Sequence, residues 1–277
     1  MHPVSALILT KDEAINIEAC LDCLRFSDDV VVYDSYSSDE TVELAKKYDN
    51  VRVVQRKFDN WSTHQNWCME NIEFKHPWVL YVDADERVED DLAREVQEKA
   101  DPDSEFAAFQ LRRKDMFMGK WLKRAQLYPT WIVRMFRPKN IRYERLVNPI
   151  AIVDGKTGDL DGHLIHYPFS KGIDHWFARH NQYSGMEAEE LLKVQANRNI
   201  PFGDLFGDAS ARRAALKNIF FRLPIRPHIK WFYYMFWRMA WLDGSAGRSY
   251  ARLIYLYEYM ISMKVKAIVH QRSGKEL

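Results

Sequence analysis

The chain has little cysteine: three residues in 277, Cys20, Cys23 and Cys68. An odd, low count excludes a disulfide-stapled scaffold and fits a reducing compartment. Cys20 and Cys23 form a C-x-x-C, but no second pair and no nearby histidine completes a zinc site. They share a helical period with Ile17, Leu21 and Leu24 and read as small core residues. Glycine is scarce as well, at 11 residues. None lies in the first polar loop, Thr10-Lys11-Asp12-Glu13, which argues against a glycine-rich phosphate loop there. No stretch reaches the roughly 18 uncharged apolar residues of a membrane-spanning helix. The N-terminus enters a strand pattern at once, without the apolar core of a signal peptide. Charge of one sign is missing too: 40 Lys and Arg stand against 39 Asp and Glu, a net +1.

That balance hides an uneven distribution. Between Arg212 and Arg272 lie 12 basic and 2 acidic residues, a local +10, so the remainder sums to −9. The same stretch holds 13 of the chain's 38 aromatics. Basic residues mixed with Trp and Tyr suit a helix lying in a lipid headgroup layer. The alternatives are an amphipathic helical subdomain packed on the body, or an interface between copies. Nucleic-acid binding is disfavoured, because no recognisable motif accompanies the charge. We therefore expect a body over 1–200 and a helical, basic and aromatic C-terminal region over 201–277 that associates with a membrane surface or mediates oligomerisation.

Along the body, strand and helix patterns alternate. Val4–Leu9, Asp29–Tyr33, Val51–Gln55 and Trp78–Val82 read as strands. Ile17, Cys20, Leu21 and Leu24 fall at i, i+3, i+4 and i+7 of a helix. Ser37 and Glu40 have capping-box spacing before Val42. Trp61–Ile72 and Leu92–Ala100 read as further helices. This alternation predicts an α/β fold with a mostly parallel central sheet and helices on both faces. After Asp101 the pattern changes: Phe106–Arg112, Trp131–Arg137 and His163–Tyr167 look like strands, with Gly155 and Gly158 in turns. Helices are then expected at about Lys171–Ala196, Ala209–Phe221, Pro227–Trp241 and Arg248–Val269.

The sharpest local signal is Trp78-Val79-Leu80-Tyr81-Val82-Asp83-Ala84-Asp85-Glu86-Arg87, an apolar run ending in two carboxylates one residue apart. In open α/β sheets ligands bind at the C-terminal strand ends. Two hard oxygen ligands there suit Mg²⁺ or Mn²⁺ holding phosphates. Thr10–Glu13 and Asp34–Asp39 end two earlier strands in polar clusters on the same expected edge. Stability alone requires no such convergence.

These segments together, Val4–Glu13, Asp29–Asp39 and Tyr81–Arg87, resemble the N-terminal half of a family 2 glycosyltransferase. The later stretches Gly162–Tyr167 and Trp176–Ser184 resemble a bacterial branch of that family that includes lipopolysaccharide-core and surface-polysaccharide glucosyltransferase-like proteins. The resemblance covers roughly residues 3–263. It implies the GT-A (Rossmann-like) nucleotide-sugar fold and an inverting, metal-dependent transfer of a hexose from a nucleotide diphosphate sugar, a UDP-sugar for preference. The acceptor would be a lipid-linked or lipopolysaccharide-core glycan at the inner, cytoplasmic face of a bacterial cell membrane. It further implies donor binding by Thr10, Lys11, Glu13, Asp34, Ser35, Asp83 and Ala84, and a divalent metal on Asp85 and Asp83, with His166 as a third candidate ligand. Arg134 or Arg137 would reach the diphosphate, since a guanidinium suits phosphate oxygens, or else support the sheet edge.

An inverting transferase needs a carboxylate to take the acceptor's proton. Relatives carry an acid soon after a Val-His or Val-Asn pair, whereas here Val147-Asn148 precedes Pro149, which cannot act as a base. Glu144, the nearest carboxylate upstream, is the favoured substitute; Asp154 downstream and Glu86 beside the acidic pair are the other candidates. Pro149 also keeps open a catalytically impaired, glycosyltransferase-like binding or assembly protein. A sugar nucleotidyltransferase would need the missing glycine-rich loop. The Gln-x-x-Arg-Trp signature of processive synthases is absent, which favours one sugar per encounter.

Overall fold

A computed structural model describes residues 1–145, 149–196, 208, 209, 212, 213, 215, 216, 219, 223 and 225–274. The chain divides into two compact units, Met1–Lys123 with Tyr128–Ser170, and Arg124–Leu127 with Lys171–Leu277. The expected boundary at 200/201, and most of the helix expected over 209–221, lie outside the described residues.

The first unit begins with β1 (Ser5–Thr10), α1 (Ala14–Asp22), β2 (Val30–Asp34), α2 (Thr41–Ala45), β3 (Val51–Gln55), α3 (Trp61–Asn71) and β4 (Val79–Asp83). It continues through β5 (Glu86–Val88), α4 (Asp90–Lys99), β6 (Phe106–Phe117), β7 (Lys120–Trp121), β8 (Trp131–Phe136), β9 (Ile141–Glu144), β10 (Ile150–Val153) and β11 (Lys156–His166). The main sheet runs β3-β2-β1-β4-β8-β6-β11-β5, with β7 beside β6; β9 and β10 form a separate hairpin. β3, β2, β1 and β4 are mutually parallel, β8 runs antiparallel between β4 and β6, and β11 returns parallel to β6. This is the expected α/β architecture, with the order 3-2-1-4 reversing direction at β1. Such a reversal opens a crevice at the C-terminal strand ends.

The strands read as unbroken apolar runs because both sheet faces are covered. Ala6, Ile8, Val30, Val32, Leu80 and Val82 point one way, against Ile17, Cys20 and Leu21 of α1, Leu24 just after it, and Leu92 and Val96 of α4. Their neighbours Leu7, Val31, Tyr33, Val79 and Tyr81 point the other way, against Cys68 and Ile72 and against Ile141 and Tyr143 of the hairpin. Alternation along each strand makes this division.

Local chemistry sets several element ends. Asn60 caps α3 by accepting the Thr63 N–H at 3.0 Å. α4 opens on Asp90 and Asp91 and closes on Lys99, complementing its dipole. The capping box expected at Ser37 and Glu40 does not form: α2 begins after Glu40 without a side-chain cap. The Ser37 hydroxyl donates to Asp34 instead, a stronger charge-assisted bond. Cys20 is fully buried and Cys23 partly so, both as free thiols.

The second unit contains α5 (Gly172–Ala196), α6 (Arg226–Phe232) and α7 (Gly244–Arg272), with a π-helical turn at Tyr233–Trp237 and a 3₁₀ turn at Ala240–Asp243 between the last two. The continuous helix expected over 227–241 is thus broken. Met239 adopts a left-handed conformation (φ 54°) that ends it. Arg226 and Lys230 bracket the buried Glu258 carboxylate. Ala188 and Leu191 of α5 pack on Ile261 of α7. No described helix is long and apolar enough to cross a membrane.

Candidate active site

Register brings the expected strand-end clusters together. Thr10 pairs with Asp34 and Leu9 with Asp83, so the polar ends of β1, β2 and β4 lie side by side at the sheet's C-terminal edge. β11 then sets His166 against Glu86 on one flank and Asp115 on the other. The Tyr167 N–H donates to the Asp85 carbonyl at 2.9 Å, fastening β11 to the turn after β4.

At the β1 and β2 ends the side chains mostly bind one another. Asp34 is fully buried and accepts from Thr10 Oγ1 (3.0 Å), Ser37 N (2.9 Å) and Gln55 Nε2 (2.9 Å). The two loops are stitched together. Ser37 Oγ accepts the Asp12 N–H at 2.9 Å, Asp12 Oδ1 accepts the Ser38 N–H at 2.6 Å, and Thr41 Oγ1 accepts the Glu13 N–H at 2.8 Å. The Ser38 amide is the main reason the Asp12 carboxyl is held below its usual range. Glu13 Oε2 accepts from Asn16 at 2.8 Å, and Lys11 donates to the Tyr36 carbonyl at 2.5 Å while staying exposed. Asp12 and Tyr36 both take positive φ, 53° and 58°, a conformation that is uncommon away from glycine and is held here by these bonds.

Beside them lies an aromatic and basic group that the sequence reading missed. His64, on α3, stacks on Tyr33 at 4.3 Å, and its ring nitrogens lie 3.2 Å from Ser35 Oγ and 3.0 Å from Arg56 Nη1. Phe58 packs against both His64 and Trp61, and Phe58, Trp61 and Tyr36 remain exposed. Burial first, then Arg56, pushes the His64 imidazole down to about 4. The available signal was the density of aromatics just after β3, in a loop whose path the sequence does not reveal.

The two aspartates of the Asp-Ala-Asp turn differ in surroundings. Asp83 is tied on both oxygens: Tyr81 Oη donates to Oδ1 at 2.8 Å and Arg134 Nη2 to Oδ2 at 2.5 Å. Burial alone would raise its pKa; Arg134, Tyr81 and His166 outweigh that and leave it below the usual carboxylate value. Glu86 is wholly buried. It accepts the Asp83 N–H at 2.9 Å and Arg134 Nη2 at 2.9 Å, with Arg113 3.9 Å away. There burial prevails and the pKa is raised despite Arg134. Ala84 is buried, and its carbonyl accepts Arg87 Nη1 at 2.8 Å. Arg134 is itself buried, its guanidinium 4.3 Å over the Tyr81 ring.

Asp85 is more open. Its Oδ2 lies 3.3 Å from His166 Nε2, while His166 Nδ1 lies 2.5 Å from Asp115 Oδ1. Burial would lower the His166 pKa, but the Asp115 and Asp85 bonds raise it to about 9. Asp115 was not anticipated. Its carboxylate holds the Nδ1 proton, and a cation at Nε2 would displace the proton shared with Asp85. The chemistry of Asp85 and His166 therefore fits a divalent metal with two protein ligands. Among the described residues no three His, Cys, Asp or Glu side chains converge as a fuller cage.

Glu144 belongs to the separate β9–β10 hairpin. It ends β9 opposite Ile150, is exposed, and lies 3.4 Å from Arg142. Val147 and Asn148 lie outside the described residues.

A sheet whose parallel strands reverse their order, with an acidic, histidine-bearing cluster at their C-terminal edge, forms the kind of crevice in which open α/β folds bind ligands. A sequence profile of glycosyl transferase family 2 matches residues 5–159; the chain belongs to that family and is a glycosyltransferase. It is 21% identical over 272 residues to the lipopolysaccharide core biosynthesis glycosyltransferase LpsC of Rhizobium meliloti, covering 95% of this chain and 92% of that one. It is 27% identical over 205 residues to an uncharacterized glycosyltransferase of Rickettsia bellii, covering 69% and 68%. Among solved structures it aligns with S. aureus TarS 1–349 at 17% identity and a TM-score of 0.39, over 99% of this chain and 92% of that one.

Proposed function

We propose that this chain moves one hexose, with inversion, from a nucleoside diphosphate sugar to a lipid-linked or lipopolysaccharide-core glycan, working as a peripheral protein at the inner face of a bacterial cell membrane. The observation that carries the donor half is the Asp85–His166 pair, oriented by Asp115 at the sheet's C-terminal edge. The acceptor half draws on the near full-length likeness to LpsC and on the basic, aromatic C-terminal region.

Asp85 and His166, rather than Asp83, would hold Mn²⁺ or Mg²⁺, because Asp83 has both oxygens engaged by Tyr81 and Arg134. Such an ion neutralises charge that develops on a leaving diphosphate. Asp83, Glu86 and Arg134 form an internal tie that keeps the Asp-Ala-Asp turn in place. The exposed rings of Tyr36, Phe58 and Trp61, with Lys11 and Ser35, supply faces and donors for a uridine or similar nucleoside. Glu144 would accept the proton of the attacking hydroxyl. Its carboxylate is solvent-accessible, whereas Glu86 is closed off by Arg134 and the Asp83 amide.

Calorimetry with UDP and Mn²⁺, paired with donor turnover, tests this. Asp85→Asn and His166→Ala should each abolish the Mn²⁺-dependent part of UDP binding. Glu144→Gln should leave binding unchanged and slow turnover about 10²–10⁴-fold, the usual contribution of a general base. Normal Mn²⁺-dependent binding in Asp85→Asn refutes the metal assignment, and undiminished turnover in Glu144→Gln refutes the base.

A further inference from the structure

The turn between α6 and α7 exposes large apolar side chains that a water-facing surface would bury. Trp237 is 79% exposed, Phe232 60% and Phe236 52%, with Trp241 and Leu242 close to half. Five such residues within eleven positions exceed the isolated exposed apolar groups normal on a soluble surface. The backbone holds them there. The π-helical turn, the left-handed Met239 and the 3₁₀ turn change direction three times between Tyr233 and Asp243. Asp243 Oδ2 accepts the N–H groups of Arg124 and Ala125, both at 2.8 Å. Gly247 packs so closely on the Ala240 carbonyl that an added Cβ would sit 2.0 Å from its oxygen. A presentation fixed in this way loses little conformational freedom on binding.

The outer face of α7 adds charge. Arg248, Arg252, Leu256, Tyr259, Met263 and Lys266 follow one another at spacings of four or three and are all exposed, so they form one face. The helix has a single carboxylate, Glu258, which is buried and paired with Arg226 and Lys230. The exposed face therefore carries three cations and no anion. A second copy meeting this face about a two-fold axis would bring like charge to like. An anionic lipid surface offers the complement, phosphate groups for the cations and an interfacial layer for the rings.

We propose that the 232–242 turn inserts its aromatic side chains into the headgroup layer of an anionic membrane while the Arg248–Lys266 face of α7 lies on the lipid phosphates. This rests on the membrane association in the proposed function and names the surface that makes it. The test is co-sedimentation of the full chain with phosphatidylcholine vesicles, with and without phosphatidylglycerol, across a salt series. Two variants accompany it, F236S/W237S and R248E/R252E/K266E, each checked for folding by circular dichroism. Wild type should pellet with the anionic vesicles. F236S/W237S should lose about tenfold in partitioning, most visibly at high salt where charge is screened. R248E/R252E/K266E should lose at least about a hundredfold at low salt, the loss expected from removing roughly 1 kcal/mol per basic group near the surface, with repulsion by the new carboxylates adding to it. If wild type binds and both folded variants bind equally well, this surface is wrong while membrane association stands. If wild type pellets with no vesicle, both fall. If sedimentation velocity shows a dimer that F236S/W237S converts to monomer, the surface belongs to a second copy and the proposal is overturned.

Discussion

Replacing Arg134 by Met should destabilise the first unit through the charges it leaves behind. Arg134 lies 2.5 Å from Asp83 Oδ2 and 2.9 Å from Glu86 Oε1, and Glu86 is wholly buried. Methionine approximates the aliphatic stem, so packing changes little while two carboxylates lose their shared cation. Removing one partner of a buried pair costs about 3–5 kcal/mol, more than the pair contributes relative to an apolar isostere. Arg113, 3.9 Å from Glu86, offsets part of this. For a chain of this size each kcal/mol moves the melting temperature by about 2–4 °C, which places Arg134→Met roughly 6–20 °C below wild type. Melts monitored by circular dichroism measure the shift. Glu86→Gln keeps an acceptor for the Asp83 N–H and removes one charge. The pair Glu86→Gln with Arg134→Met should therefore be more stable than the sum of the single effects by about 1.5 kcal/mol or more, within the range for residues sharing a network. A shift under about 3 °C for Arg134→Met, or strict additivity in the double variant, would refute the view that this buried triad ties down the strand end.

His64 makes an acid-stability prediction. Its imidazole is held near 4 in the fold, chiefly by burial, against about 6.5 in an unfolded chain. Above pH 6.5 it is neutral in both states and contributes nothing to pH dependence. Between 6.5 and 4 the unfolded chain binds the proton and the folded one does not, so stability falls as pH drops, by roughly 3 kcal/mol in total. Urea midpoints measured against pH should show His64→Asn flatter than wild type over that window, and parallel profiles would contradict the assignment. Gly247→Ala should cost about 1–3 kcal/mol as an overpacked contact, because its Cβ meets a backbone oxygen 2.0 Å away; an unchanged melt would contradict the close Ala240–Gly247 packing.

The parallel half of the sheet was legible because each strand is buried on both faces and so writes itself as an unbroken apolar run, as in Val30–Tyr33. Elements with one covered face and few residues were not. β5 has three residues, and the β9–β10 hairpin interleaves Arg142 and Glu144 with Ile141 and Tyr143 in four. The capping-box reading failed at Ser37 because the buried Asp34 carboxylate, three residues earlier in the same loop, takes the hydroxyl, a local side-chain bond that competes with the helix cap. Asp115 was hidden in the charged run Arg112-Arg113-Lys114-Asp115. Its phase was the usable signal: strand alternation puts Arg113 and Asp115 on one face, where both approach the Glu86–His166 cluster.

Position at the strand ends was readable, but role was not, because role depends on what each carboxylate already binds. Asp34, Asp83 and Glu86 have the same address as Asp85 and far less freedom. Asp34 takes four donors, two from Ser37 and one each from Thr10 and Gln55 at the neighbouring strand ends, and Asp83 and Glu86 share Arg134. Buried carboxylates are stable only when so satisfied, and satisfaction removes the lone pairs a ligand would need. Acid count at the edge therefore overstates the capacity for a cation or substrate. Asp85, whose side chain lies in a turn fastened through its own backbone carbonyl, keeps its carboxylate toward His166, and the internal acids around it hold that turn still.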